Sequence, residues 1–463
     1  MKARRLLAVS APGLLFGALM ATGVAQAAES PWYTQGTFAP SERIAITLVN
    51  DLDEDRIGSP VILTPQQLPM LRGIQALTIT LVDPAGQPRP APDHERQASE
   101  GPHGRLAETN GRSFDYQLDD LDADGLWDEL FLQVDLKARE TKTIYIYRGF
   151  QQRGWNPHRT HAGIGSYMRH TVPFWESEAV GWKLWFPTDA DVYGKRAPML
   201  MSPRLYGENL DGYAVSRIDP KMGSDIMSVD DTFGGGGIGV FDDPAKPNAI
   251  SRPRFTPNSD QENRFNGNGL KDTRYAFEVV TNGPLRSMIR VKTLNWDSGR
   301  GRYEVEQLYT AFAGQNYSTG RVTFKTFNPK AKSAAWAAGI RKHAPEEIIY
   351  QQGGVAITGG SELVRNPDDK DAVQNGFKID YAGSAIVVRD AYKPTYVSSD
   401  ERQGNHVFKV APTADGKFEY MLAAAWSEGP SLKTAGEFKD YVIKAAREYN
   451  SPVRLDGLRE EKR

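Results

Sequence analysis

Short alternating runs, and not long helical stripes, organise this chain. Residues 43–49 (RIAITLV) and 77–82 (LTITLV) place apolar side chains at every second position, the period of a strand with one buried face. Glu129–Leu136 repeats the pattern through Leu130, Leu132, Val134 and Leu136, and residues 143–147 (TIYIY) close a first β region. The stretch 202–270 is irregular. A regular series then resumes at 275–280, 286–292, 303–309 and 321–327, divided by Asn282-Gly283-Pro284, Asp297-Ser298-Gly299 and Ala313-Gly314. Turn residues between long alternating runs predict a meander of antiparallel strands. Residues 384–390 and 420–426 read as the last strands. Only 431–449 has a helical period: Thr434 and Glu437 form a capping box, and Phe438, Tyr441, Val442, Ala445 and Tyr449 share one face. Asn450 and Pro452 stop it, and 459–463 reads as a frayed charged tail. The expected class is all-β, a large antiparallel β-sandwich with one C-terminal helix.

One stretch departs from plain alternation. Residues 170–195 (HTVPFWESEAVGWKLWFPTDADVYGK) set Phe174, Trp175, Trp182, Trp185, Phe186 and Tyr193 among Glu176, Glu178, Lys183, Asp189, Asp191 and Lys195. Flat rings beside carboxylates and amines suit a sugar, whose C–H face stacks while its hydroxyls bond polar groups. Trp175 and Trp182 are therefore candidate platforms, with Glu176 and Glu178 as candidate substrate ligands. The alternative is two amphipathic strands packing their indoles into a core. As a hydrolytic dyad the two glutamates are weak evidence, because they point the same way at about 7 Å along one strand.

The sharpest local motif is Asp120, Asp122, Asp124, Gly125 and Asp128. Aspartates at alternate positions before a bending glycine wrap oxygens around one hard cation, and a carbonyl near Leu126 completes the set. Position twelve is Phe131, and the following residues alternate as a strand, so this is a strand-flanking loop and not an EF-hand. Calcium in a structural role is the expected cofactor; the alternative is an acidic turn without metal.

Composition narrows the class. The 463 residues include no cysteine, which removes disulfides, thiol nucleophiles and cysteine-ligated zinc. No G-x-S-x-G elbow and no H-E-x-x-H zinc helix appears. Lys2, Arg4 and Arg5, then an apolar run to Val24 and Ala25-Gln26-Ala27, form a secretory signal over 1–27. Its removal shifts the formal charge from −2 to −5, which offers no footprint for nucleic acid. No later run reaches membrane-spanning length, so no membrane insertion follows signal removal, and a periplasmic or secreted bacterial protein is expected. With a linker near 151–157, the domains expected are an N-terminal β region over 28–152 with the calcium-type loop and a main β-sandwich over 153–463; 28–463 also suits one continuous domain.

Carboxylates, histidines, tyrosines, cations and aromatics remain to carry chemistry. His161 lies in Arg159-Thr-His-Ala-Gly-Ile-Gly165, and His343 closes Ala338-Gly-Ile-Arg-Lys-His343. Glycines 234–237 lack the Lys-Ser/Thr of a phosphate cradle and read as a bulge or a backbone floor under a substrate. β-Elimination on a uronate needs a cation at the C6 carboxylate, a base for the C5 proton and an acid at the C4 leaving group. His161, His343, Tyr193 and Lys195 are the catalytic candidates, and Arg159 and Arg341 the carboxylate clamp.

The ordered motifs D-x-D-x-D-G-x-x-D-E-L, R-T-H-x-G-I-G, W-E-S-E-x-x-G-W, D-x-Y-G-K and A-x-G-I-x-K-H resemble a family of secreted bacterial proteins known as domain of unknown function 4861, from about residue 40 to about residue 455. The resemblance implies a place among utilisation enzymes for acidic polysaccharides such as pectin or ulvan. A similar oligosaccharide dehydratase of ulvan breakdown acts on a terminal uronate. The resemblance also implies a sandwich like the galactose-mutarotase-like supersandwich of several polysaccharide lyases. The resulting expectation is a carbon–oxygen lyase, a dehydratase or polysaccharide lyase, whose partner is an acidic oligosaccharide or polysaccharide. The alternatives are a glycoside hydrolase on acidic glycans and a non-catalytic, calcium-dependent glycan-binding protein.

Overall fold

The computed structural model describes residues 30–75, 78–90, 107–149, 156–167, 170–186, 189–207, 221–227, 229, 232–253, 273–343, 346–364, 377–399 and 404–463. Residues 1–27, read as the export signal, lie outside the described residues. The chain is all-β, a large antiparallel β-sandwich with one long C-terminal helix.

Its largest unit is an eight-stranded antiparallel sheet. Four of its strands, Arg274–Asn282, Arg286–Asp297, Gly301–Phe312 and Tyr317–Pro329, follow one another as hairpins and form the expected meander. Lys417–Trp426, Phe377–Val388, Val355–Val364 and Ile348–Gln352 extend it. Two further sheets share its core. One has five strands in chain order: Thr160–Tyr167, His170–Ser177, Val180–Phe186, Asp189–Lys195 and Gly223–Asp225. The other has four and contains Gly237–Phe241, Ala335–Arg341, Asn405–Val410 and Thr395–Ser399. Trp175 and Trp182 from the first, Trp336 and Phe408 from the second, and Tyr309, Tyr420 and Trp426 from the large sheet belong to one buried cluster.

A second layer lies against another part of the large sheet. Helix Ala435–Asn450 begins at Thr434, whose side chain accepts from Glu437 N–H while Glu437 reaches back, as the capping box predicts. Phe438, Val442, Ala445 and Ala446 are buried with Ile357, Ala385, Met421 and Ala423, and each large side chain stabilises the contact by about 1.5–3 kcal/mol. The end of the chain departs from expectation. Residues 459–463 are not a frayed tail: Arg454–Lys462 is a strand that pairs with Glu42–Val49 at the edge of the N-terminal sheet. Its charges belong to the wet side of an edge strand, while Leu455 and Leu458 pack on the N-terminal core of Ile44, Ile46, Leu130 and Ile144. Among the described residues, no helix is long and apolar enough to cross a membrane.

Candidate active site

Strand alternation divides the stretch 170–195 between two faces. Across the five-stranded sheet His161 pairs with Glu176, Glu176 with Gly181, Gly181 with Tyr193, and Tyr193 with Asp225. The neighbouring row sets Phe174 beside Lys183 and Lys183 beside Asp191. Cross-strand partners share a face, so one face of the sheet carries nearly all of its ionisable side chains. The positions between, Ala162, Trp175, Trp182 and Val192, form the other face and belong to the core.

This corrects the platform reading. Trp175 and Trp182 are fully buried and stack with their planes 10° apart, and Trp175 also stacks on Tyr309 at 4.3 Å. Trp175 Nε1–H donates to Ser318 Oγ at 2.8 Å. No ring face is left for a sugar. The rings of Trp185 and Phe186 lie outside the described side chains.

The outward face begins at His161, which is part-exposed, with 22% of its side chain accessible. Its Nδ1 lies 2.6 Å from Ser202 Oγ, and Ser202 Oγ lies 2.6 Å from Glu176 Oε1. Ser202 opens the short helix Ser202–Gly207, which the sequence did not announce. Glu176 accepts from every direction: Ser202 N–H and Met201 N–H at 2.8 Å, the Ser202 hydroxyl, and Lys195 Nζ. A carboxylate taking four donors is an acceptor only, so the Ser202 hydroxyl donates to it. Ser202 Oγ then accepts from His161 Nδ1–H, and the imidazole keeps its lone pair on Nε2. Burial lowers the His161 pKa and outweighs the pull of Glu176, which favours the neutral ring.

Lys195 and Tyr193 do not meet the surface. Lys195 is fully buried, and its three N–H groups go to Glu176 Oε2, Ser177 O and Met199 O. Burial lowers its pKa, against the opposing charge of Glu176. Tyr193 Oη accepts from Lys183 Nζ at 2.9 Å, and Lys183 pairs with Asp191 at 2.9 Å. Both expected catalytic side chains are therefore supports beneath the site, since groups at 0% exposure touch no substrate. Asp225 completes this layer, with Oδ1 accepting from Met227 N–H and Oδ2 without a hydrogen-bond partner among the described residues. Burial and the nearby Asp191 charge push the Asp225 carboxyl well above the usual range. Buried charges of this density do not serve stability, because replacing such pairs by apolar residues is often neutral or better. Their clustering makes this face a candidate functional site.

Arg159 and Glu178 lie at the edge of the same face. Glu178 N–H donates to Arg159 O and continues the ladder, and the Arg159 guanidinium grips Glu178 with Nε at 2.7 Å. Glu178 Oε2 also accepts from Gly314 N–H at 3.0 Å. With 53% of its side chain exposed, Arg159 is an accessible cation two residues from His161, about 7 Å along the strand. Glu176, by contrast, is buried and saturated, so it positions His161 and binds no sugar hydroxyl.

His343 and Arg341 form a separate group on the four-stranded sheet. The His343 side chain is fully buried, its Nε2 3.6 Å from Glu362 Oε2, and Glu362 is held by Arg341. Burial, with Arg341 and His406 nearby, lowers the His343 pKa to about 3. The His343 and Arg341 side chains are both buried, and the Glu362 that they share also acts electrostatically on Asp225 of the five-stranded sheet. Glycines explain the close packing beside them: a Cβ on Gly235 would lie 2.2 Å from Val192 Cγ2, and Gly234 O accepts from Arg341 N–H. These glycines are thus a backbone contact under the sheet edge.

In the acidic loop, ligand oxygens of Asp120, Asp122 and Asp124 lie within 4.8 Å of one another, the only such group among the described residues. That spacing fits calcium, whose oxygen ligands sit at about 2.3–2.6 Å. Gly125 has a φ of 86° and donates to Asp120 Oδ2. Asp128 stands apart, with Oδ2 accepting from Leu121 N–H at 2.7 Å, so it ties the loop together and is not one of the grouped ligands.

Ser202, Asp225 and Glu362 escaped the sequence reading, and Lys183 and Asp191 appear in it only as charges of the aromatic stretch, without a role. Period-two counting from Glu176 and Tyr193 would have found Lys183 and Asp191 on their face. Nothing local marks Ser202 or Asp225, which reach the sheet from an irregular stretch.

Residues 94–455 match the family described as Domain of unknown function (DUF4861), and the chain belongs to that family. Comparison with curated proteins gives no match. Similar solved structures include a protein of glycosyl hydrolase family 38 from Enterococcus faecalis, with 10% identity and a TM-score of 0.43 over 91% of this chain and 48% of that one. An alpha-mannosidase from Enterococcus faecalis V583 has 10% identity and a TM-score of 0.44 over 92% and 46%. The chain spans about half the length of these proteins, and at such scores neither likeness bears on activity.

Proposed function

We propose that this member of the DUF4861 family is an exported, periplasmic or secreted, carbohydrate-active enzyme that acts on uronate-containing oligosaccharides by β-elimination. The observation that carries the reading is the chain from His161 Nδ1 through Ser202 Oγ to Glu176, which leaves Nε2 as a base on a part-exposed ring. Arg159, exposed beside it, receives the C6 carboxylate and stabilises the charge that develops when C5 is deprotonated. His161 Nε2 takes the C5 proton, the C4–O bond breaks, and a C4–C5 double bond forms. The proton that His161 takes from C5 is then given to the departing C4 oxygen, which leaves as water from a dehydratase or as a sugar hydroxyl from a lyase. Buried Lys195, Lys183, Asp191, Tyr193 and Asp225 keep this face polar and rigid. A structural calcium ion held by Asp120, Asp122 and Asp124 is part of the proposal, and calorimetric titration of chelator-treated protein should give binding heat that Asp122→Asn abolishes.

Incubation with a panel of pectin- and ulvan-derived oligosaccharides should generate the ultraviolet absorbance of an unsaturated uronate. Release of reducing sugar without that absorbance would instead identify a hydrolase, and binding without turnover a lectin.

A further inference from the structure

Strand Arg56–Leu63 carries a bulge, where the register of its pairing with Glu129–Leu136 shifts between Arg56 and Ser59. Gly58 turns the chain there with a φ of 59°, a left-handed conformation that a side chain would strain. Three side chains brace it. Asp135 Oδ1 accepts from Gly58 N–H at 2.7 Å, and Gly58 O accepts from Gln133 Nε2 at 3.0 Å and Gln315 Nε2 at 3.3 Å. The bulge turns Ile57 outward, with 71% of the residue exposed. A single exposed isoleucine is ordinary. This one forms part of the wall of an open cleft of about 630 Å³, between the bulge, residues 313–315 and helix Ala435–Asn450. Small-molecule sites span about 300–1,000 Å³.

Arg159 lines the same cleft, so the cleft reaches the accessible cation beside His161. Gly314 joins the two, because its N–H donates to the Glu178 that Arg159 grips. The remaining wall is rich in acceptors. Gln133 spends both amide N–H groups on Gly58 O and Ala313 O, so its carbonyl oxygen is what it has left to offer. Asp115 and Asp135 add carboxylates, and Asp135 is exposed. The cations nearby are engaged: Lys444 lies 3.9 Å from Glu448, and Lys137 and Lys142, beside Asp135, pair with Asp55 and Asp83 at 2.8 and 3.2 Å. Such a wall favours a ligand that brings hydroxyl donors, and it repels a second carboxylate. Ile57 offers the apolar contact for the C–H face of a ring.

We propose that this cleft is the subsite for the sugar next to the uronate held at Arg159, and that it takes an uncharged ring. Asp135 and Gln133 accept from its hydroxyls, and Ile57 covers its apolar face. Substrates therefore alternate uronate with neutral sugar, and runs of uronate are disfavoured. The place of the uronate rests on the functional reading above, whereas the preference for an uncharged neighbour rests on the cleft alone.

Calorimetric titration of the full chain carrying His161→Ala, so that turnover does not consume the ligand, tests this with two oligosaccharides of equal length. A tetrasaccharide alternating galacturonate and rhamnose should bind about tenfold more tightly than tetragalacturonate at low salt. Adding Asp135→Asn, which keeps an acceptor for Gly58 N–H, should cut that preference to about threefold by removing the repulsion. Adding Ile57→Ala should weaken the alternating ligand about fivefold. Both side chains are exposed, so neither variant threatens the fold. No heat from either ligand, equal affinities, a preference for tetragalacturonate, or a preference untouched by both substitutions would overturn the subsite. Unsaturated product formed equally fast from both ligands by the wild-type protein would also sink the subsite and leave the elimination reading standing. The predicted preference in a protein that forms no unsaturated product would sink the elimination reading and leave the subsite standing.

Discussion

The two faces of the five-stranded sheet are built from alternate residues of the same strands, yet they answer to different physics. The inner face, Ala162, Trp175, Trp182 and Val192, is dry and stacked, and its contribution scales with buried area. The outer face, His161, Glu176, Lys183, Asp191, Tyr193, Lys195 and Asp225, is nearly as buried but holds charges that cost free energy to bury. A fold seeking only stability would not repeat that arrangement across five strands. The difference teaches that burial alone does not separate core from site, and that the chemistry of the buried atoms does.

The comparison breaks most directly at Trp175. Trp175→Ala should destabilise the protein by about 3–5 kcal/mol, because it opens a large cavity and removes the stack on Tyr309. Any turnover should fall only as the folded fraction falls, and chemical denaturation beside an activity assay reads both. A selective loss of activity in a stable variant would restore the sugar platform.

The next effect separates the two histidines. His343 has a folded-state pKa of about 3, below the unfolded value of about 6.5. As pH falls below 6.5, the unfolded chain gains a proton that the folded chain refuses, so stability declines down to pH 3 and levels off below it. The group faces Arg341, His406 and Glu362, and the slope is about 1.4 kcal/mol per unit. His343→Gln should therefore lose about 2 kcal/mol less than wild type between pH 7 and pH 5. Parallel pH dependences in the two proteins would contradict the buried, neutral assignment.

The smallest expected effect tests the relay itself. Ser202→Ala removes the acceptor of His161 Nδ1–H and one donor to Glu176, at a stability cost of about 1–3 kcal/mol. The imidazole then lacks a fixed tautomer, so turnover should drop about tenfold with little change in KM, and Ser202→Thr should recover part of it. An unaltered kcat in Ser202→Ala would remove Ser202 from the positioning of His161.

Much of the fold was legible because alternation and turn residues are local. The meander from Arg274 to Pro329 and the helix capped by Thr434 appear nearly where their patterns set them. The strand Arg454–Lys462 was not legible, since an edge strand beside solvent carries the same charges as a loose tail. The site was half legible. Arg159 and His161 stood out through their glycine-flanked motif, and Glu176 and Lys195 through the aromatic stretch. The sequence also showed that indoles and charges interleave. The alternative of amphipathic strands with their indoles in a core describes what Trp175 and Trp182 do, but nothing in the sequence said that Ser202 would arrive from an irregular stretch to join His161 to Glu176.

The central claim is that the outer face performs chemistry through His161, and the direct measurement pairs turnover with stability in His161→Ala. The account predicts that formation of unsaturated uronate falls about 10²–10⁴-fold, while the unfolding midpoint in denaturant stays close to that of wild type because the ring is part-exposed. Turnover that survives the substitution, or that is lost only because the protein unfolds, would contradict it.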